Sequence, residues 1–313
     1  MAIAPFFIVA SARSGTTFLR LTLNAHPDVA VPPESRFITE LYDGRDTVET
    51  ADFLNRLEKH IRFKAWALPI EQVAKEIGGD AALPYSDAIR ATYRAYARSQ
   101  GKESWGDKTP RYVEHIPFLA RMFPDARFIH IVRDGRNVAL SYSHVNFGPK
   151  NVARAARLWA RRVSTGMHDG RALPKGRYFE VLNEDLAEDR EGEIRDIATF
   201  LGLGFDPRML DEKERAKGVV EKVTHSYEPG VAGRAAMSTW QEEMRPGDVE
   251  VFEAVAGDVL SELGYERRYP NPGRTARLKA ALALKGLPIG TLKRGSRPHP
   301  ADRRGGGGVE PSS

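Results

Sequence analysis

The chain has 313 residues, 41% of them hydrophobic and 28% charged, enough for one large α/β domain or two small ones. It contains no cysteine, which excludes disulfides and thiolate chemistry. The net charge is +5, but residues 271–313 hold nine Lys or Arg against two acidic residues, a net of +7, so residues 1–270 sum to −2 and the basic character is a poor argument for nucleic-acid binding by the body.

Phe6 to Ala10 is a short apolar run after Pro5, the pattern of a buried strand. A Ser/Gly/Thr turn follows, and Thr16 to Ala25 reads as a helix that His26-Pro27 ends. Arg36 to His60 reads as mostly helical with an interruption near Asp43-Gly44, GGDAALP (78–84) as a loop, and Tyr85 to Ser99 as a helix. Arg111 to Met122 is broadly helical, bent or broken at Pro117. Arg127 to Val132 is a second strand, followed by the turn RDGRN and a helix over Val138 to Asn146. A long helix over Asn151 to Gly170, a third strand over Tyr178 to Leu182, and amphipathic helices over Glu191 to Leu201 and Val249 to Leu263 complete the body. Strands alternating with helices predict a parallel sheet covered on both faces.

From Pro270 the composition changes. Arg274 to Leu284 has the pattern of a short basic amphipathic helix, and the Gly, Pro and charge beyond it cannot bury enough apolar area to offset chain entropy. The expected organisation is therefore one domain over 1–270 and a basic, largely disordered tail over 271–313. No apolar run approaches the ~18 residues of a membrane-spanning helix, and nothing at the start of the sequence resembles a signal peptide, so a cytoplasmic enzyme is expected.

The segment FFIVASARSGTTFLR (6–20) joins a strand, a small-residue turn and a helix start. Free backbone N–H groups and the helix dipole make such a turn an anion site. Laid over G-x-x-x-x-G-K-[ST], it matches at Gly15 and Thr17, while Thr16 stands where the lysine would be and Ala10 where the first glycine would be. A nucleoside triphosphatase needs that lysine and a magnesium ion. A turn with neither suits a less charged group, such as a 5′-phosphate bearing a sulfonate. The plainer alternative is an ordinary strand-to-helix turn; Arg13, a cation inside the turn, favours the anion.

RFIHIVRDGRNVALSYS (127–143) repeats the design. Arg133 sits at the strand's C-terminal end, where open parallel sheets place ligands. Ser141 follows about two helical turns on, so both can reach one anionic group. Two anion sites on one sheet suggest a nucleotide with two separated phosphates. Asp134 reads as a helix cap or a partner of Arg136 in preference to a metal ligand.

Together the two segments resemble the sulfotransferases that use 3′-phosphoadenosine-5′-phosphosulfate (PAPS), in order and spacing over about residues 5 to 265. ARSGTTFLR resembles the 5′-phosphosulfate loop, and RFIHIVRDGRNVALS the 3′-phosphate strand and helix. The resemblance implies a P-loop-like three-layer α/β fold with a central parallel sheet. It implies that Arg13 and the amides and hydroxyls of Ser14, Gly15, Thr16 and Thr17 hold the 5′-phosphosulfate, that Arg133 and Ser141 hold the 3′-phosphate, and that no metal is needed.

HPDVAVPPESRF (26–37) supplies a candidate base, Glu34, on a loop stiffened by two prolines, with Arg36 placed to steer the carboxylate or the acceptor. Locally, Glu34 and Ser35 also read as the start of the next helix. The order HPDV…ESR resembles the protein-tyrosine branch of the family, which makes Glu34 the favoured general base. WGDKTP (105–110) supplies Lys108; alone it reads as a solvated surface group, whereas the resemblance places it on the phosphosulfate bridge. Phenol and steroid sulfotransferases carry a basic His two residues past that Lys; here Pro110 stands there. GRAAMSTWQEEM (233–244) faintly resembles the loop that closes over the 3′-phosphate, with Arg234 as cation, Trp240 as anchor and Ser226 nearby; a surface loop is the alternative. NEDLAEDREGEIRDIATFLGL (183–203) reads as packing.

The expected activity is sulfuryl transfer from PAPS to an acceptor hydroxyl of a sugar, glycolipid, phenol or tyrosine, in line, with Glu34 as base and Lys108 and Arg13 on the leaving phosphate. The alternatives are a P-loop small-molecule or nucleotide kinase, against which Thr16 speaks, and a non-catalytic nucleic-acid or membrane-surface binder acting through the basic tail.

Overall fold

The structure, a computed structural model, describes residues 2–217 and 239–286. Within them the strands are β1 (Phe6–Ala10), β2 (Val29–Ala30), β3 (Thr47–Glu49), β4 (Ala82–Pro84), β5 (Ser104–Lys108), β6 (Arg127–Val132) and β7 (Tyr178–Leu182). Five of them form one parallel sheet in the order β2-β5-β1-β6-β7. β1 lies at its centre and is buried throughout, as a strand without a polar position must be. Phe6, Ile8 and Ala10 meet Leu19, Leu23, Ile194, Ile197 and Leu201 on one face. Phe7 and Val9 meet Trp105, Phe123 and Phe128 on the other. Removing each large apolar side chain from water contributes about 1.5–3 kcal/mol. Gly106 in β5 is fixed by this packing, because a Cβ there would stand 2.3 Å from carbons of the Phe6 ring.

Parallel pairing sends the C-terminal ends of these strands to one edge, and the residues that follow β1, β5, β6 and β7 gather there. Helix Thr16–Asn24 follows β1, and helix Gly135–Tyr142 follows β6. The latter begins three residues earlier than its apolar pattern suggested, because Asp134 caps it by accepting the Arg136 amide at 2.9 Å.

Between β2 and β5 the chain departs from the sequence-based expectation. In place of one interrupted helix over 36–60 and a loop over 78–84, there is a short helix Phe37–Glu40, then β3 and β4 paired antiparallel, with helix Thr50–Lys59 after β3. Each of these strands buries one residue, Val48 or Leu83, between exposed neighbours, too few for an alternation to be read. The break in 111–122 falls at His115 and not at Pro117, which sits in the first turn of helix Ile116–Met122, where its missing N–H costs nothing.

Helix Val152–Arg171 packs against helix Pro246–Glu262 around Trp159, Val163, Phe252 and Leu260. Of the tail set apart from residue 271, Arg274–Leu284 is helical and lies on these two helices through Ala276, Ala280 and Ala283. Residues 287–313 lie outside the described residues.

Candidate active site

The turn after β1 is built for close approach. Gly15 has φ 86° and Arg13 has φ 74°, both left-handed. For a non-glycine this costs about 1–2 kcal/mol and persists only where the surroundings impose it. A Cβ on Gly15 would fall 2.1 Å from Asn183 Oδ1, so this position also needs glycine for space. Thr16 and Thr17 open the helix, and their amides have no partner within it. The Ser14 hydroxyl is buried and meets no hydrogen-bonding group among the described residues. An anion in the turn would satisfy it.

The second turn touches the first. Arg13 Nε donates to Ser141 Oγ at 2.9 Å, and Arg133 Nη1 donates to the Arg13 carbonyl at 3.2 Å. Burial is the largest influence on both guanidiniums and lowers both pKa values. At Arg133 the Glu184 carboxylate opposes this, while the like charge of Arg13 adds to it. Two desolvated cations that repel one another favour a bound anion.

Behind Arg133 the turn is held rigidly. Trp159 Nε1 donates to the Arg133 carbonyl at 3.0 Å. Arg136 is buried; its guanidinium binds Asp134 Oδ2 at 2.8 Å and Glu253 Oε1 at 2.7 Å. Trp240 lies over that guanidinium, 3.8 Å from its carbon to the ring centroid, and its Nε1 donates to Asp134 Oδ2 at 3.0 Å. Asp134 is thus cap, ion-pair partner and acceptor for Trp240. Trp240, singled out as an anchor, is buried against the second turn; Ser226 and Arg234 lie outside the described residues.

On the other side of β1 stand the candidate base and cation. Lys108 ends β5, and its Nζ donates to Glu34 Oε1 at 2.9 Å. Arg36 Nη2 lies 3.9 Å from Glu34 Oε2. The Lys108 side chain is 7% exposed and that of Glu34 27%, so the carboxylate is the member of the pair that solvent reaches. Burial acts to raise the Glu34 carboxyl, but the charge and hydrogen bond of Lys108, with Arg62 and Arg36, outweigh it and hold the group below its ordinary value. Burial lowers Lys108 despite Glu34. The cation is therefore poorly solvated, with Glu34 as its counter-ion.

The sequence profile of a sulfotransferase family matches residues 5–207, more than half of the chain. The chain belongs to the sulfotransferase family. It is 27% identical over 284 residues to protein-tyrosine sulfotransferase of Drosophila melanogaster, covering 85% of this chain and 52% of the fly protein. It therefore spans about half the length of that relative. To the nodulation protein NoeE of Sinorhizobium fredii it is 26% identical over 292 residues, covering 83% of this chain and 66% of NoeE. Among solved structures, the sulfotransferase domain of the Synechococcus PCC 7002 olefin synthase superposes with a TM-score of 0.62 at 24% identity, over 85% of this chain and 96% of that domain. The fold is the P-loop-like α/β fold of sulfotransferases, with its central parallel sheet.

Sequence reasoning missed several residues that border this candidate site. Asn183 and Glu184 follow β7 at the same edge, in a segment read only as packing. Asn183 borders the first turn at Gly15. Glu184 Oε1 accepts the Asp134 amide at 3.1 Å, and its Oε2 accepts from Tyr265 OH at 2.8 Å. The available signal was positional: polar residues directly after a parallel strand fall at the ligand edge. Arg62 carried no such signal, since only the packing of the segment between β2 and β5 brings it toward Glu34.

Proposed function

We propose that this chain transfers a sulfuryl group from PAPS to an acceptor hydroxyl. The observation that carries the reading is the junction of the two basic turns through Arg13, Ser141 and Arg133, beside the Glu34–Lys108 pair. A nucleotide with separated 3′- and 5′-anions offers each cation a partner. The turn from Ser14 to Thr17 and Arg13 take the phosphosulfate, and Arg133 and Ser141 take the 3′-phosphate.

The acceptor oxygen attacks sulfur in line with the bridging oxygen. The new O–S bond forms as the S–O(P) bond breaks, and the acceptor proton passes to Glu34. Adenosine 3′,5′-bisphosphate leaves with the electron pair of the broken bond. Lys108 and Arg13 stabilise the charge that grows on its phosphate. Donor binding offers Lys108 a second anion, which loosens its hold on Glu34 and makes that carboxylate a stronger base.

Transfer of radiolabelled sulfate from PAPS across sugar, glycolipid, phenol and tyrosyl-peptide acceptors tests the reading; no transfer to any of them by folded protein that also fails to bind adenosine 3′,5′-bisphosphate would refute it. Arg133→Ala should weaken that nucleotide about 10–100-fold by calorimetry, the loss of about 1.5–3 kcal/mol of charged hydrogen bonding.

The pH dependence has a definite sign. Glu34 sits below its ordinary value, so it stays ionised as pH falls and is lost only through that lowered value. The acid limb of kcat/KM, which reports the free enzyme, should therefore lie below that of an ordinary Glu carboxyl. The limb in kcat should lie higher, because bound donor competes for Lys108. Coincident limbs at the ordinary value would contradict the pairing.

A further inference from the structure

The carboxylate and the ammonium at the heart of the site come from segments 74 residues apart, and something must fix their separation. Directly beside Glu34 is Ser35, and directly beside Lys108 is Thr109, both buried. The Ser35 amide donates to Thr109 Oγ1 at 3.1 Å, and the two hydroxyls lie 3.3 Å apart. Ser35 Oγ also lies 3.0 Å from Tyr112 OH. The Tyr112 oxygen accepts the Ile38 amide at 3.2 Å, so its single proton is available to Ser35.

This hydroxyl chain adjoins a buried carboxylate. Asp107, immediately before Lys108 in β5, accepts from Tyr93 OH at 2.6 Å. Burial raises its carboxyl to about 6, although Tyr93, Ser35 and Thr109 all act to lower it. None of these bonds reaches either basic turn. Arg36, the next residue after Ser35, has a left-handed φ of 54°, which must be imposed by what surrounds it. Tyr85 OH adds a second clamp, donating to the Ile38 carbonyl at 2.9 Å.

We propose that Ser35 is a positioning residue for the transfer reaction: through Thr109 and Tyr112, over the buried Asp107, it holds the Glu34 loop onto the strand end that carries Lys108. It touches neither donor nor acceptor. Its role is to keep the base within reach of the acceptor proton and the cation within reach of the leaving phosphate at once. The proposal rests on the sulfotransferase reading above and adds to it the device that sets the base.

Ser35→Ala and Tyr112→Phe test it, with Ser104→Ala as the control. Ser104 is buried at the opposite end of β5, and its hydroxyl accepts the Ile3 amide at 3.1 Å. All three variants lose one buried hydroxyl, so each should lower the unfolding midpoint. Ser35→Ala should in addition lower kcat by about tenfold or more toward the best acceptor of the panel, the scale of loss from slight misplacement of a catalytic group. Its affinity for adenosine 3′,5′-bisphosphate should stay within about twofold of the parent, and the acid limb of kcat/KM should move up as Lys108 loses its hold on Glu34. Arg36, Arg62 and Arg20, the other charges around Glu34, are untouched by the change. Tyr112→Phe should move the same quantities in the same direction and by less.

If Ser35→Ala instead behaves like Ser104→Ala, less stable but unchanged in kcat and acid limb, the hydroxyl is structural and the proposal fails. Glu34→Gln separates this from failure of the underlying reading. A Glu34→Gln protein of normal kcat would remove the base itself, whereas an inactive Glu34→Gln beside a fully active Ser35→Ala would remove only the positioning role.

Discussion

Glu34→Gln is expected to lower kcat by about 10²–10⁴-fold, the usual contribution of a positioned general base, with little change in affinity for adenosine 3′,5′-bisphosphate. Glutamine keeps the shape of the side chain and its contact distance to Lys108, so the fold has no reason to change. What is lost is the ability to take a proton. Lys108→Met should cost about 10²–10³-fold by removing a cation from the leaving phosphate. Because the two side chains form one pair at 2.9 Å, the double variant should lose far less than the product of the single losses. Steady-state kinetics of sulfate transfer with a fixed acceptor reads all three. A Glu34→Gln protein retaining more than about a tenth of parental kcat would show that another group accepts the proton.

Arg136→Ala should give the largest loss of stability, about 3–5 kcal/mol, because it leaves two buried carboxylates without their cation. Asp134 and Glu253 both face this guanidinium, which also donates to the Glu266 carbonyl at 2.9 Å. Removing it further deprives the Trp240 indole of the plane it covers. Glu253→Gln should cost less, since the amide oxygen can still accept from one of the two backbone amides, Arg268 and Tyr269, that the carboxylate now binds. Urea unfolding of the three proteins orders them. Equal midpoints for the parent and Arg136→Ala would mean that the net contributes no stability. The functional consequence runs through Arg133, whose turn this net supports: Arg136→Ala should weaken adenosine 3′,5′-bisphosphate without touching it.

The parts of the fold that were legible share one property. β1 is an unbroken apolar run, β6 is apolar after Arg127 but for the buried His130, both end in a turn, and helix Val152–Arg171 carries a long apolar stripe. β5 was harder to read, although it lies next to β1 and is just as buried. Its residues are Ser, Trp, Gly, Asp and Lys. It breaks the apolar rule because it delivers polar groups to the site: Asp107 to the net beneath Glu34, and Lys108 to Glu34 itself. Local consistency fails where function imposes its own requirements. β3 and β4 were missed for the opposite reason, being too short to show any pattern.

The two basic turns, each a strand end followed by a helix start, and the missing lysine in the first of them are properties of the sequence alone. They are what suggests an anion site and a class of anion, because backbone amides, dipoles and nearby cations act over a few residues. Tertiary structure decided the partnerships: that Arg13 reaches Ser141, that Arg133 reaches Arg13, that Lys108 meets Glu34, and that Asn183 closes on Gly15. Local pattern encodes which face of an element is buried. Only the order of strands in a parallel sheet, set by packing across the whole domain, decides which distant residues share its edge.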